Sequence, residues 1–447
     1  MVGIDSDFNI VGGQGNNVGN DSNRNLVTGR QNTLGNSTDY NAVSGRRNTI
    51  ADYSDGNVVG GFYNELGMRS YGNAVTGSTN VLADYTDFNA VSGMNNVLGN
   101  NADKNVVGGN GNYVGNNGYA NAVFGNNNTL AQNNIGNVVG GYGNLLGNNA
   151  DFNDVTGLGN VVGNNADRNA VSGRENFIAD QSDDNQVSGR FNTLGYESDN
   201  NAVSGRNNLL GDRADNNDVS GSRNTLGYQA DNNIVGGRYN TVGENSDMNV
   251  VGGRFNTLGY QSDNNIVGGR DNTLADRADN NAVSGRFNEL GYRADHNIVG
   301  GRNNVLGNDT DENLVGGRAN QVGDFSDRNF VAGDFNTLGN SSQSNSITGY
   351  GNMVGSYTSF SGVAGRNNML AGSNLDVFVQ GYGNYVSPGL QDVQLLGSHN
   401  FAGGSDSRCS CSVRTIPSRD RRTSSAVSAT WLRMVRATSC SASGPGR

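Results

Sequence analysis

The sequence predicts an all-β chain folded as a parallel β-solenoid, a β-roll or β-helix, with sixteen residues per coil and about twenty-five coils. Three observations carry that prediction. Cutting every sixteen residues from Asp5 gives twenty-five units that end at Gly404 without an insertion; 249–264 reads NVVGGRFNTLGYQSDN and 265–280 reads NIVGGRDNTLADRADN. Within each unit the apolar residues alternate, as in N-x-V-x-G, and never form a helical stripe. The composition, with 69 Gly, 3 Pro and 34% hydrophobic residues among 447, is too poor for a thick globular core. It suffices for a repeat array, whose core is thin and continuous.

The consensus x-S-D-x-N-x-V-x-G-R-x-N-x-L-G-x assigns each element in turn. The pieces N-x-V-x-G and N-x-L-G are the two strands of a coil. Asn, Gly and Asp mark the turns, where left-handed backbone and side-chain-to-backbone bonds are tolerated. With coils stacked about 4.8 Å apart, the array is expected to measure roughly 120 Å. The Val column (Val11 onward) and the Leu column (Leu34 and its equivalents) point inward and stack. The Gly column, from Gly13 to Gly397, is Gly in all twenty-five units and marks a bend that admits no Cβ. The Asn columns beginning at Asn9 and Asn16 belong at the corners, where stacked amides bond to one another and to turn backbone. Stacking alone explains this invariance, so no residue in these columns needs a catalytic role.

Function is expected in the variable columns. The residue after the first Asn is apolar in 18 of the first 22 units, and by strand parity it points outward. Ile234, Val250, Ile266, Ile298 and Leu314 belong to it, beside a column of Gly, Ser and Thr. An exposed stripe of this kind is the candidate face for packing against another chain or a ligand. The residue before the Leu is Thr in nine units, four of them consecutive: Thr225, Thr241, Thr257 and Thr273. Ranked threonines on a flat β-face make ice binding the alternative function. Asp recurs in twelve successive units from Asp151 to Asp327, where nine of the twelve Arg of another column also fall. That coincidence predicts an Asp–Arg lattice within the chain that offsets repulsion between stacked carboxylates. Bound Ca²⁺ is the alternative offset, but the glycine-and-aspartate nonapeptide of calcium-binding β-rolls is absent. No metal site and no cofactor is expected.

The string NAVSGRFNELG (281–291) resembles the head repeats of trimeric autotransporter adhesins, and its pattern recurs across 5–404. The resemblance implies a left-handed parallel β-roll, three chains side by side, and attachment at a cell surface or in the extracellular space to host or matrix. It would make the outer apolar column the contact within a homo-oligomer. The sequence departs from that family in its longer period, in Asn where the family has Ala or Ser, and in a second Gly spaced one residue closer. No coiled-coil stalk or membrane-anchor barrel follows the repeats.

The remaining features exclude more than they assign. A net charge of −11 argues against a nucleic-acid partner bound through phosphates. No apolar run is long enough to insert into a membrane, and no secretory signal opens the chain. Val2 and Gly3 fall in the Leu and Gly columns, so the chain begins inside a repeat; the expectation is an N-terminus further upstream or a cap supplied by a neighbouring chain. His296 and His399 are the only histidines and sit outside any Ser-His-Asp or Cys-His pattern, so no enzyme is expected. From Ser405 the character changes. The segment 405–447 holds all three Cys (Cys409, Cys411, Cys440), Trp431 and eight Arg against two Asp. It reads as a disordered basic tail, or as an out-of-frame translation, and supports no site.

Overall fold

The computed structural model describes residues 1–403 and the backbone of a strand at Cys409–Ser412. Every regular element among the described residues is a β-strand. The chain divides into two units, Met1–Asn245 and Ser246–Arg447.

In the first unit each coil contributes two strands, and each pairs in parallel with its equivalent sixteen residues on. Leu26–Val27 pairs with Ala42–Val43 through Leu26↔Ala42 and Val27↔Val43, and Thr33–Leu34 with Thr49–Ile50 through Thr33↔Thr49 and Leu34↔Ile50. The second unit repeats the scheme. Ile298–Arg302 pairs with Leu314–Arg318, and Glu289–Leu290 with Val305–Leu306, again sixteen apart. The solenoid and its sixteen-residue coil are therefore as the sequence predicts. Its last strand, Cys409–Ser412, pairs in parallel with Val393–Leu396, so regular backbone reaches past Gly404. The rest of the tail, where disorder was expected, lies outside the described residues.

The core is as thin as the composition requires. In the coil from Arg277 to Tyr292 the inward side chains are Ala278, Asn281, Val283, Asn288 and Leu290, each at most 2% exposed. Val and Leu stack on their equivalents, because a register of sixteen places like on like. The small residue is a third buried column, here Ala278 and elsewhere a Ser or Thr such as Ser182 or Thr310. Its size lets the turn close over the core, and where it is Ser its hydroxyl bonds turn carbonyls, as Ser182 does to Gly195 at 2.8 Å.

Both Asn columns are buried hydrogen-bond ladders. Asn281 Nδ2 donates to Asn265 Oδ1 at 3.1 Å and to the Ala294 carbonyl at 2.6 Å. Its backbone N–H donates to the same Asn265 oxygen at 2.9 Å. Only a side chain with a donor and an acceptor on one short, neutral group can continue such a ladder indefinitely.

The Gly column closes the opposite turn. Gly269 has φ +102°, and a Cβ there would lie 2.0 Å from the Gly285 carbonyl oxygen. Three further positions per coil are also left-handed but hold ordinary residues, such as Arg277 (φ 58°), Asn280 (φ 58°) and Phe287 (φ 57°). Near +57° an L-residue is tolerated at about 1–2 kcal/mol. These side chains point outward and stack on one another. In the first unit Arg69 lies between the rings of Tyr53 and Tyr85, 5.9 and 5.5 Å from their centroids.

Candidate interaction faces

The first strand of each coil, N-x-V-x-G, presents the first face. Ile234 in the first unit is 53% exposed, and in the second unit Val250 is 43%, Ile266 62%, Ile298 56% and Leu314 43%. In that unit the column is continuous through the pairs Val250↔Ile266, Ile266↔Ala282, Ala282↔Ile298 and Ile298↔Leu314. These side chains point outward as an apolar ridge, in keeping with strand parity. Two residues further along each strand runs a groove of small residues. At Gly252, Gly268 and Gly316 an added Cβ would meet nothing within 4 Å. Beyond the groove lies a row of exposed arginines, with Arg254↔Arg270, Arg270↔Arg286 and Arg286↔Arg302 in register.

The second face belongs to the second strand, N-x-L-G. In the first unit half-buried Thr225 stands beside exposed Thr241, and in the second exposed Thr257 stands beside exposed Thr273. The next residue in that rank is Glu289. Each of these four coils offers one threonine to this face.

The acidic column corrects the sequence reading. No arginine of the Arg column lies within ion-pair distance of Asp263, Asp279, Asp295, Asp311 or Asp327. Each carboxylate accepts the N–H of the equivalent residue in the preceding coil instead. Asp263 N–H donates to Asp279 Oδ1 at 2.8 Å, and Asp279 N–H to Asp295 Oδ1 at 2.7 Å. The turn offers these N–H groups few carbonyls, though Asp295 N–H also reaches that of Thr310 at 3.1 Å, and a short acceptor one coil above satisfies them. A parallel column that the sequence reading missed does the same with Asn or Asp, as Tyr260 N–H does to Asp276 Oδ1 at 2.8 Å. Among the described residues one member of the column, Asp183, comes within 3.8 Å of an arginine, Arg168, which lies outside the Arg column; other ion pairs lie off the column, such as Arg213–Glu197 at 2.6 Å and Arg270–Asp271 at 2.9 Å.

Partial burial pushes the carboxyls of Asp103, Asp151, Asp199, Asp263, Asp295 and Asp311 above the ordinary 3.8. The N–H bond pulls part of the way back, and neighbouring carboxylates push further up. Two exposed acids go the other way, Asp184 beside Arg168 and Glu197 beside Arg213. A carboxyl raised on folding binds its proton more tightly in the native chain than in the unfolded one. The six therefore destabilise the native chain above their folded values, and that penalty is relieved as pH falls through the range from those raised values towards 3.8. The thermal midpoint is expected to hold or rise between pH 7 and that range, and Asp295→Asn to raise it at pH 7. Calorimetry at fixed ionic strength checks both; a midpoint that drops steadily over the same interval contradicts them.

His296 sits on an outward turn, and His399 packs edge-on against Tyr382 at 5.0 Å. Among the described residues no three His, Cys, Asp or Glu side chains are placed to hold a metal ion. A shallow depression lined by Phe287, Glu289, Arg302, Asn303 and Val305 is open to solvent. No helix among the described residues is long and apolar enough to cross a membrane.

Fold and faces together define a β-solenoid repeat protein. No family model matches the chain, and no curated protein does. A crystal structure described as a putative acetyltransferase from Desulfovibrio desulfuricans G20 aligns over 61% of this chain and 61% of its own, with 9% identity and a TM-score of 0.10. A likeness that slight carries no argument about fold or activity.

Proposed function

We propose that the chain is a non-enzymatic structural and adhesive protein of the cell surface or extracellular space, whose repeated faces serve self-association and attachment to a host or matrix surface. The observation that carries this reading is the ridge at Ile266 and Ile298, more than half exposed and in register with its neighbours. Leaving such side chains in water forgoes about 1.5–3 kcal/mol each, and a contiguous apolar stripe marks an interaction site. The inward columns already fold the chain, so the outward one is free to serve another surface.

The reading predicts that the full chain associates in light scattering over a wide concentration range. Ile266→Lys with Ile298→Lys is expected to weaken that association by about 100-fold or more, because each lysine would be buried without a partner. The folding midpoint should hardly move, since both side chains point away from the core. A native chain that stays monomeric at high concentration rules the reading out.

The register of Thr257 and Thr273, both exposed, favours ice binding as a second reading. Against it stands the single threonine per coil, which gives one file of hydroxyls and not a two-dimensional array. Inhibition of ice recrystallisation by the purified chain, lost in Thr257→Lys with Thr273→Lys, would support it over self-association.

A further inference from the structure

The first face has an order across it that single-chain packing does not use. Across each coil of the second unit, in chain order, come the turn with its Asp, the apolar ridge, the open groove and the Arg row. Ridge and groove lie on either side of the inward Val column, one residue before it and one after. The two charged rows lie further out on opposite sides. Each row repels itself, with like charges about 4.8 Å apart. Within the chain Arg286 and Arg302 make no ion pair, and Asp279 and Asp295 are bonded only to backbone N–H.

From this arrangement we infer that the partner on the face is a second copy of the chain, related by a two-fold axis that runs along the stack of coils above the Val column. This rests on the self-association reading and adds its geometry. Such an axis exchanges the two sides of the face. It seats the Ile266 and Ile298 ridge of each copy in the groove of the other, whose floor is small, Gly268, Ser284, Gly300 and Gly316 in turn, and stands open at Gly268 and Gly316. It also brings each Arg row over the turn that holds the other copy's Asp row, so both repulsions are offset at once. An axis across the stack would instead place Asp on Asp and Arg on Arg. Inside one chain the Arg row pairs only with an adjacent residue, as Arg270 does with Asp271, and does not reach Asp279 or Asp295; two paired copies would bring the two rows together.

Charge exchange tests this. Arg286→Glu with Arg302→Glu sets two acidic residues into the Arg row opposite the partner's Asp279 and Asp295, and Asp279→Lys with Asp295→Lys sets two basic residues into the Asp row opposite the partner's Arg286 and Arg302. Each variant alone is expected to associate at least about tenfold more weakly than the native chain, and their equimolar mixture to restore a one-to-one dimer, read by analytical ultracentrifugation. Circular dichroism establishes that both are folded. Should the Asp variant fail to fold, Gly268→Val with Gly316→Val decides, because these positions have room for a side chain. Dissociation with an unchanged folding midpoint supports the pairing, and undiminished association overturns it. A mixture that stays monomeric, or a native trimer, overturns the pairing but leaves self-association standing. So does association lost in the Ile266→Lys, Ile298→Lys variant but untouched by either charge variant. A monomeric native chain overturns both.

Discussion

Gly269→Ala is expected to destabilise the second unit by about 4 kcal/mol or more, while Gly268→Ala, one residue away, is expected to stabilise it by about 0.5–1 kcal/mol. The two glycines differ in what surrounds them. Gly269 sits at φ +102°, beyond the left-handed well that accepts L-residues, and its Cβ would meet the Gly285 carbonyl oxygen at 2.0 Å. That oxygen is the acceptor for the N–H of Arg270 at 2.9 Å, so it cannot retreat without breaking a bond of the stack. Gly268 has an ordinary φ, and an added Cβ there would meet nothing within 4 Å, so alanine only removes freedom from the unfolded chain. The sequence itself separates a tight contact from a forbidden one. The other turn glycine also stands close to its neighbour, since a Cβ on Gly259 would lie 2.6 Å from the Asp276 backbone nitrogen, yet that column admits Ala51, Ala83 and Ala275. The Gly269 column admits no substitution in twenty-five units. Because each coil is held mainly by its neighbours, a fault at 269 should also uncouple the coils on its two sides. Denaturant unfolding followed by circular dichroism reads the loss, and limited proteolysis should cut close to residue 269. A single unshifted transition in Gly269→Ala would show that the turn can flex around a Cβ.

How much of this is legible in the sequence follows from what constrains each column. Val283, Leu290, Asn281, Asn288 and Gly285 stand on their own kind or a near match above and below, so stacking restricts them and the sequence repeats them. The same logic places Ile266 and Ile298 outside, by parity alone. The left-handed turn positions are not legible, because near φ +57° the backbone accepts any residue whose side chain reaches outward. Arg277, Phe287 and Tyr239 therefore share a conformation without sharing a chemistry. The role of the Asp column is misread for a different reason. Its coincidence with the Arg column suggests contact within the chain, but a turn N–H lies closer to each carboxylate than any arginine does. Co-occurrence in sequence cannot tell an ion pair inside one chain from one between two. Nor does the pattern reveal that Ile298–Arg302 is five residues of strand while Ile266–Val267 is two, since both carry the same consensus.

Asn288→Ala is expected to destabilise the second unit at least as much as Leu290→Ala, although the first removes a polar side chain and the second an apolar one. Truncating a buried leucine forfeits about 2–5 kcal/mol in transfer and cavity terms. Asn288 is 0% exposed and holds more together. Its Nδ2 donates to Asn272 Oδ1 at 3.1 Å, to the Ser284 carbonyl at 2.8 Å and to the Gly301 carbonyl at 3.3 Å. Its Oδ1 accepts both the backbone N–H and the Nδ2 of Asn304, each at 3.1 Å. Alanine leaves the Asn304 N–H without its acceptor, in a space walled off from water by Val and Leu. Each buried polar group so stranded costs about 1–3 kcal/mol, and with at least two left unmatched the sum reaches the upper part of the leucine range. Aspartate at 288 is no remedy, since it keeps the acceptor, loses the donors and brings a charge into the core. Asn288→Asp should therefore recover part of its stability on acidification, as the carboxyl takes up a proton, whereas Asn288→Ala should gain no comparable increment. Thermal unfolding of the three variants at about pH 7 and about pH 4.5, on either side of the range where a buried carboxyl titrates, separates these outcomes. If Asn288→Ala proves markedly milder than Leu290→Ala, the ladder is a consequence of the stack and the apolar columns alone hold the coils in register.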